Sequence, residues 1–363
     1  MKISKILVVA LIAFQIFSTG CGDNKKRAMG NEDDIYIIAD SVEYAEIEGA
    51  LLTVFGKIIY TPQSENMFNL IRKNYSELEK VKKYKNVIIA APINSGSLTS
   101  KYINSVLNKD VIKLVEEDST TIINKKDLWS KDQLVMFLTA SSIEKLSQTI
   151  LNNNEDLVYY FQKASDTRLK RSLYNPTYED KLVEAQLLKD YNWLIYVQTD
   201  FKLALNKPED NFVWLRRSPG TDMERWIFVH WIENSSPALL NSDSINAIRN
   251  RMTQKYYRTS NDSAYVEINN EYRTSKEVNF NGKYAIMTQG LWNMSDGSMG
   301  GPFLSYTFFD ESSKRLYMVD GSIYAPKYYK KLLIQQVDVI LKSFLTGKEV
   351  TKEQRETLFD ELD

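Results

Sequence analysis

The residue types that carry most enzyme chemistry are scarce in this chain. It holds one histidine, His230, and one cysteine, Cys21. A zinc site built from His and Cys ligands cannot be assembled from that pair, and neither can a Cys–His nucleophile. His230 lies in Arg225–Glu233 (RWIFVHWIE). Alternation puts Trp226, Phe228, His230 and Ile232 on one face of a strand and Ile227, Val229 and Trp231 on the other. Both faces are apolar, so the strand reads as central and His230 as a buried side chain satisfied by one hydrogen bond.

The segment Asp296-Gly297-Ser298-Met299-Gly300-Gly301-Pro302 superficially resembles the GDSGGP surroundings of a serine nucleophile. Met299 interrupts the pattern and the order of Asp and Gly is reversed, so it reads as a Gly-rich connection between two strands. No GxSxG, phosphate-loop or dinucleotide fingerprint occurs elsewhere. Asn31–Asp34 lacks the spacing of a calcium loop. Carboxylates are common, and a glycosidase needs two of them at a set separation. Asp320 is the candidate acid, with a bond to nearby backbone or to Lys327 as its structural alternative. Trp292, Asp320, Tyr324 and Lys327, a polar and aromatic group around a Gly-rich turn, are the candidate recognition surface. No metal site or cofactor is expected.

What positions these residues begins with the N-terminus. Lys2 and Lys5 precede an apolar run, Ile6–Phe17, interrupted only by Gln15. The run is shorter than the roughly 20 residues of a spanning helix. Ser18, Thr19 and Gly20 then lead directly to Cys21, the arrangement of a secretory signal cleaved before a lipid-modified cysteine. Ser18 stands where such signals usually carry Leu. Several acyl chains on Cys21 would give stable attachment where one gives marginal binding. The expectation is a leader over 1–20, a flexible tether over 21–34, and a body anchored to the membrane by lipid, the outer membrane in preference to the inner.

A net charge of −1 gives no electrostatic reason to expect nucleic acid. Apolar residues make up 43% of the chain, enough for an ordinary core. The 22 Tyr, 15 Phe and 6 Trp raise two readings, stacking on sugar rings or packing in sheets and core, and the second is favoured.

Short apolar strands and amphipathic helices alternate through residues 35–175. The 3.6-residue spacing predicts its longest helix over Ser142–Ser172, broken by Asn175-Pro176. From 176 to 347 strands crowd together, with a helix over Asp243–Tyr257 and a closing amphipathic helix over Lys327–Phe344. Consecutive strands argue for antiparallel pairing. The predicted class is α+β, mostly antiparallel sheets with helices packed on one face, in two α+β halves that meet near Asn175. Residues 348–363 read as a charged tail.

Gly290-Leu291-Trp292, Met299-Gly300-Gly301-Pro302-Phe303 and Tyr324-Ala325-Pro326-Lys327 resemble a lipoprotein family of the Bacteroidota, domain of unknown function 4837. Thr61-Pro62-Gln63 with Glu65 and Phe68, and Lys85-Asn86-Val87, extend the resemblance over nearly all of the mature chain. It implies an envelope lipoprotein and brings no activity, ligand or catalytic residue with it. The functional expectation is a binding or assembly module of the cell envelope, held to the membrane by its N-terminal lipid, with an envelope protein or a glycan as partner. The alternatives are a carboxylate-based hydrolase of envelope glycans and a purely structural lipoprotein.

Overall fold

The computed structural model describes residues 25–363. Cys21, the leader expected over 1–20 and the tether residues before 25 lie outside them. The strands are β1 (Asp34–Ile38), β2 (Ile58–Tyr60), β3 (Ser64–Asn66), β4 (Asn69–Lys73), β5 (Asn86–Ala90), β6 (Ile122–Lys126), β7 (Leu134–Leu138), β8 (Trp193–Leu194), β9 (Phe201–Lys207), β10 (Phe212–Arg217), β11 (Glu224–Ile232), β12 (Val266–Phe280), β13 (Lys283–Met294), β14 (Gly300–Asp310), β15 (Arg315–Tyr324) and β16 (Leu345–Thr346). The α-helices are α1 (Ser41–Phe55), α2 (Leu78–Val81), α3 (Leu98–Val106), α4 (Lys109–Glu116), α5 (Ile143–Asn152), α6 (Asn154–Leu173), α7 (Lys181–Tyr191), α8 (Ser242–Tyr256), α9 (Lys331–Leu341) and α10 (Lys352–Phe359). Among the described residues no helix is long and apolar enough to cross a membrane.

The described chain forms two compact units. One takes in residues up to Glu48 together with Leu70–Thr149, the other Gly49–Asn69 together with Ile150–Asp363. The β2–β3 hairpin belongs with the later unit, as does α6, which packs on α9.

The first unit is built on a five-stranded sheet of order β4-β1-β5-β7-β6. β1 and β7 flank β5 in parallel, and β6 joins antiparallel to β7. Every residue of β5 (NVIIA) and β7 (LVMFL) is buried, as expected of parallel strands covered on both faces. The helices that follow are cut by side-chain caps. Ser97 accepts the Ser100 amide at the start of α3 and Asn108 accepts the Val111 amide at the start of α4. The tether expected over 21–34 is not loose from residue 26 onward. Lys26, Ala28 and Met29 exchange backbone hydrogen bonds with Lys131, Lys83 and Lys85, because main-chain groups beside an open strand end find partners there.

The second unit holds a seven-stranded antiparallel sheet of order β12-β13-β14-β15-β11-β10-β9. The α+β class and the antiparallel pairing are as the sequence predicts. The helix layer differs: helices cover both faces of this sheet, not one. Trp226, Phe228, Leu316 and Met318 pack with Ile245, Ile248 and Met252 of α8. Their neighbours Ile227, Val229, Tyr317 and Val319 pack with Val337, Ile340 and Leu341 of α9 and with Leu169 and Leu173 of α6. Strands apolar on both faces need cover on both. Gly321 marks the closest approach of α9, since a Cβ there would stand 2.1 Å from Val337 Cγ1.

The charged tail is also ordered. Thr351 and Gln354 form a reciprocal capping box at the start of α10. Leu358 is buried with Ala185 and Leu188 of α7, so one apolar stripe holds an otherwise polar segment.

Candidate functional site

The four residues expected to form a recognition surface divide by depth. Trp292 and Asp320 are 1% and 0% exposed, so neither can meet a partner. Trp292 is buried because its indole Nε1 donates to Ile323 O at 3.2 Å, across a backbone approach that only Gly301 allows. A Cβ at Gly301 would lie 1.9 Å from that carbonyl oxygen. Tyr324 is half-buried with its ring 6.4 Å from the Trp292 ring. Lys327 is exposed and ion-paired with Asp222. The structure therefore brings Trp292 and Tyr324 together and leaves Asp320 and Lys327 apart from them in role.

Asp320 pairs with neither backbone nor Lys327. Arg249 of α8 donates from Nε to Asp320 Oδ2 at 2.6 Å and from Nη2 to Ser322 Oγ at 3.1 Å. The guanidinium also lies 3.7 Å above the Phe303 ring. Burial pushes the Asp320 carboxyl above the ordinary carboxylate range, and Arg249 and Ser322 oppose that rise. A sealed, charge-matched carboxylate has no path to a glycosidic bond, so Asp320 is not a hydrolase acid.

His230 is 5% exposed, and its Nδ1 is 3.0 Å from Asn211 O. Burial lowers its pKa from 6.5 to about 4, so the ring is neutral at pH 7. Ser298 is exposed in the β13–β14 turn and donates its hydroxyl to Asp296 Oδ1 at 2.6 Å, a contact local to the turn. Among the described residues no group of three or more His, Cys, Asp or Glu side chains is placed to hold a metal ion.

In the first unit the carboxyl ends of β1 and β5 are where open parallel sheets place ligands. Here the chain fills that position itself. Asp40 accepts the Thr99 amide at 3.0 Å and Glu43 accepts the Ser97 hydroxyl at 3.1 Å, both at the N-terminus of α3.

The surface that remains centres on the β2–β3 hairpin. α9 has no cap from its own N-terminal side chain. Glu65 supplies one, accepting the amides of Lys330 at 2.7 Å and Lys331 at 3.1 Å. Thr61 donates to the same carboxylate, and Lys331 lies 4.5 Å above the Phe68 ring. Gln63 approaches Pro326 O at 3.4 Å and takes the Lys330 ammonium at 3.0 Å, which also bonds Tyr328 O at 2.8 Å. Around this fixed junction Tyr60, Tyr272, Tyr328 and Tyr329 are exposed, Tyr329 to 75%. The Tyr60 and Tyr272 rings are 6.1 Å apart. Sequence reasoning missed these four tyrosines, which stand in irregular or edge segments that show no periodicity. The sequence pairs Tyr328 with Tyr329 directly after Pro326-Lys327, and that was the available signal.

The comparisons with known proteins divide the chain between residues 174 and 180. Residues 180–343 match the model of a family described as Domain of unknown function (DUF4837). Residues 28–174 match a second, described as Domain of unknown function (DUF8532). The likeness to the first family is thus confined to the later residues, and Thr61, Gln63, Glu65 and Phe68 fall within the match to the second. No curated protein matches the chain. Among solved structures, the Saccharomyces cerevisiae Ran-binding protein Mog1p is similar at 10% identity over 43% of this chain and 90% of its own, with a TM-score of 0.27. A mutant of protein Mog1 is similar at 11% identity over 43% of this chain and 91% of its own, with a TM-score of 0.28. A protein from Bacteroides thetaiotaomicron VPI-5482 is similar at 7% identity over 44% of this chain and 47% of its own, with a TM-score of 0.25. None of these similarities in structure is close enough to carry an argument about this chain.

Proposed function

We propose that this chain is a cell-envelope lipoprotein, anchored by lipid on Cys21 in the outer membrane, whose later unit is a binding module with its recognition surface at Tyr60, Tyr272, Tyr328 and Tyr329. The observation that carries this reading is a contrast in burial. The groups that could do chemistry, His230 and Asp320, are sealed. The strongly exposed aromatic side chains among the described residues are all tyrosines, and four of the eight surround the Glu65 junction. Tyrosine gives a large contact face and a polar tip at low entropic cost, the composition of recognition surfaces. The Glu65 and Lys330 hydrogen bonds hold the backbone beneath those rings, so little ordering remains to be done on binding.

The experiment is site-specific photocrosslinking in cells, with a photoreactive phenylalanine analogue replacing Tyr329. The same replacement at Tyr159, 51% exposed on α6, is the control. A discrete adduct from position 329 that is absent from position 159, and lost in a Cys21→Ser chain, supports the reading. Equal labelling from both positions, or none from either, rejects it.

A further inference from the structure

The interface between α8 and the seven-stranded sheet is polar along one line. Ser242, Asn246 and Arg249 stand at i, i+4 and i+7, one stripe of the helix. Strand pairing sets Ser275 opposite Thr288, Thr288 opposite Ser305, and Ser305 opposite Asp320, a polar row crossing β12, β13, β14 and β15. Helix stripe and sheet row meet. Ser242 Oγ is 3.4 Å from Ser275 Oγ, Ser275 Oγ is 3.0 Å from Thr288 Oγ1, and Arg249 bonds Asp320 at the far end. Ser275 is exposed, whereas Thr288, Ser305, Thr307, Asp320 and Arg249 are fully buried.

This line is not closed by the protein's own groups. Asn246 Oδ1, Arg249 Nη1, Ser305 Oγ and Thr307 Oγ1 are all buried and, among the described residues, none has a hydrogen-bond partner. Ser305 approaches Asp320 closely enough to restrain its rise in pKa, but not in hydrogen-bond geometry. Such groups are rare singly in native cores, and buried polar atoms without a protein partner are met by internal water. Here they share one layer, mix donors with acceptors, and adjoin a row of hydroxyls that reaches the surface. The guanidinium charge is already matched by Asp320, so the layer offers an anion no net attraction. A neutral molecule that both donates and accepts fits it.

We propose that this seam is a built hydration site, in which ordered water bonds Asn246, Arg249, Ser305 and Thr307 and communicates with solvent through Thr288 and Ser275. Water in the seam completes the hydrogen bonding of Arg249 and gives the sealed ion pair a route for proton exchange with solvent.

The sign of a stability change tests this. A hydroxyl bare in a dry layer is better replaced by a methyl, whereas a hydroxyl bonded to trapped water is not. Thr307→Val and Ser305→Ala, each made in the full chain, are expected to lower Tm by about 2–4 °C. Unchanged or raised Tm in both overturns the proposal. A crystal structure of the unsubstituted chain gives an independent reading. Water peaks within hydrogen-bond distance of Arg249 Nη1 and Thr307 Oγ1 are expected. A dry seam, or density for a molecule other than water, overturns it.

Discussion

Arg249 and Asp320 form an ion pair in which both side chains are 0% exposed, with Nε and Oδ2 2.6 Å apart. It fastens α8 to the centre of the sheet, since Asp320 pairs across to Phe228 on one side and Ser305 on the other. Leaving one charge buried without the other costs about 3–5 kcal/mol. Arg249→Met and Asp320→Asn should each lose that much in urea unfolding at pH 7. Arg249→Met combined with Asp320→Asn should lose clearly less than the sum of the two single losses. Strict additivity would mean that the pair is not coupled.

Glu65 offers a separable test, because its carboxylate is the only side-chain cap of α9 among the described residues. Glu65→Ala should cost about 1–2 kcal/mol, the upper part of the range for a lost N-cap. Its signature is local: hydrogen exchange at the amides of Lys330 and Lys331 should accelerate far more than at β11. Uniform acceleration across the sheet would point to a global effect instead.

His230 gives a pH dependence with a definite sign. Its folded pKa of about 4 lies below the ordinary 6.5, so the unfolded chain binds the extra proton between those values. The contribution is fully present above pH 6.5 and is lost as pH falls toward 4. The full loss is about 3 kcal/mol. Replacing His230 by Gln should remove this part of the acid sensitivity, read as the difference between wild-type and variant stability at pH 7 and pH 4.5.

Glu184 behaves in the opposite sense. Burial, with Glu179 nearby, raises its pKa from 4.5 to about 9, while one of its oxygens accepts the Val197 amide at 2.7 Å. The folded state holds a proton that the unfolded state releases, so this contribution is present below pH 4.5 and is lost as pH rises through 9. Glu184→Gln keeps an acceptor for Val197 and carries no charge. It should stabilise the protein by about 1–2 kcal/mol at pH 8 and have little effect at pH 4.5, measured as Tm across that range.

Period-two alternation in Arg225–Glu233 was enough to predict a central strand, both of its apolar faces and a buried His230. Alternation reports the face of a residue and not its depth. Trp292 and Asp320 therefore read as surface residues, although each is buried on the α8 side of the sheet. The partner of Asp320 is Arg249, 71 residues earlier, and no local spacing links them. Residues 269–279 show no alternating apolar pattern, because β12 is the edge of its sheet and most of that stretch faces solvent. The four tyrosines escaped for a related reason. A surface feature assembled from Tyr60, Tyr272 and Tyr328–Tyr329 has no signature within any one window of the chain.

The contact between Glu65 and Lys330 spans 265 residues. A chain that leaves the ribosome from its N-terminus must carry the β2–β3 hairpin without its docking partner until Lys330 has emerged. Closure of so long a loop is slow, and the hairpin edges stay open meanwhile to wrong pairing. The segment 180–343, taken alone, contains α9 but not the carboxylate that starts it. The Glu65 clasp therefore closes late: the start of α9 waits on a carboxylate made 265 residues earlier.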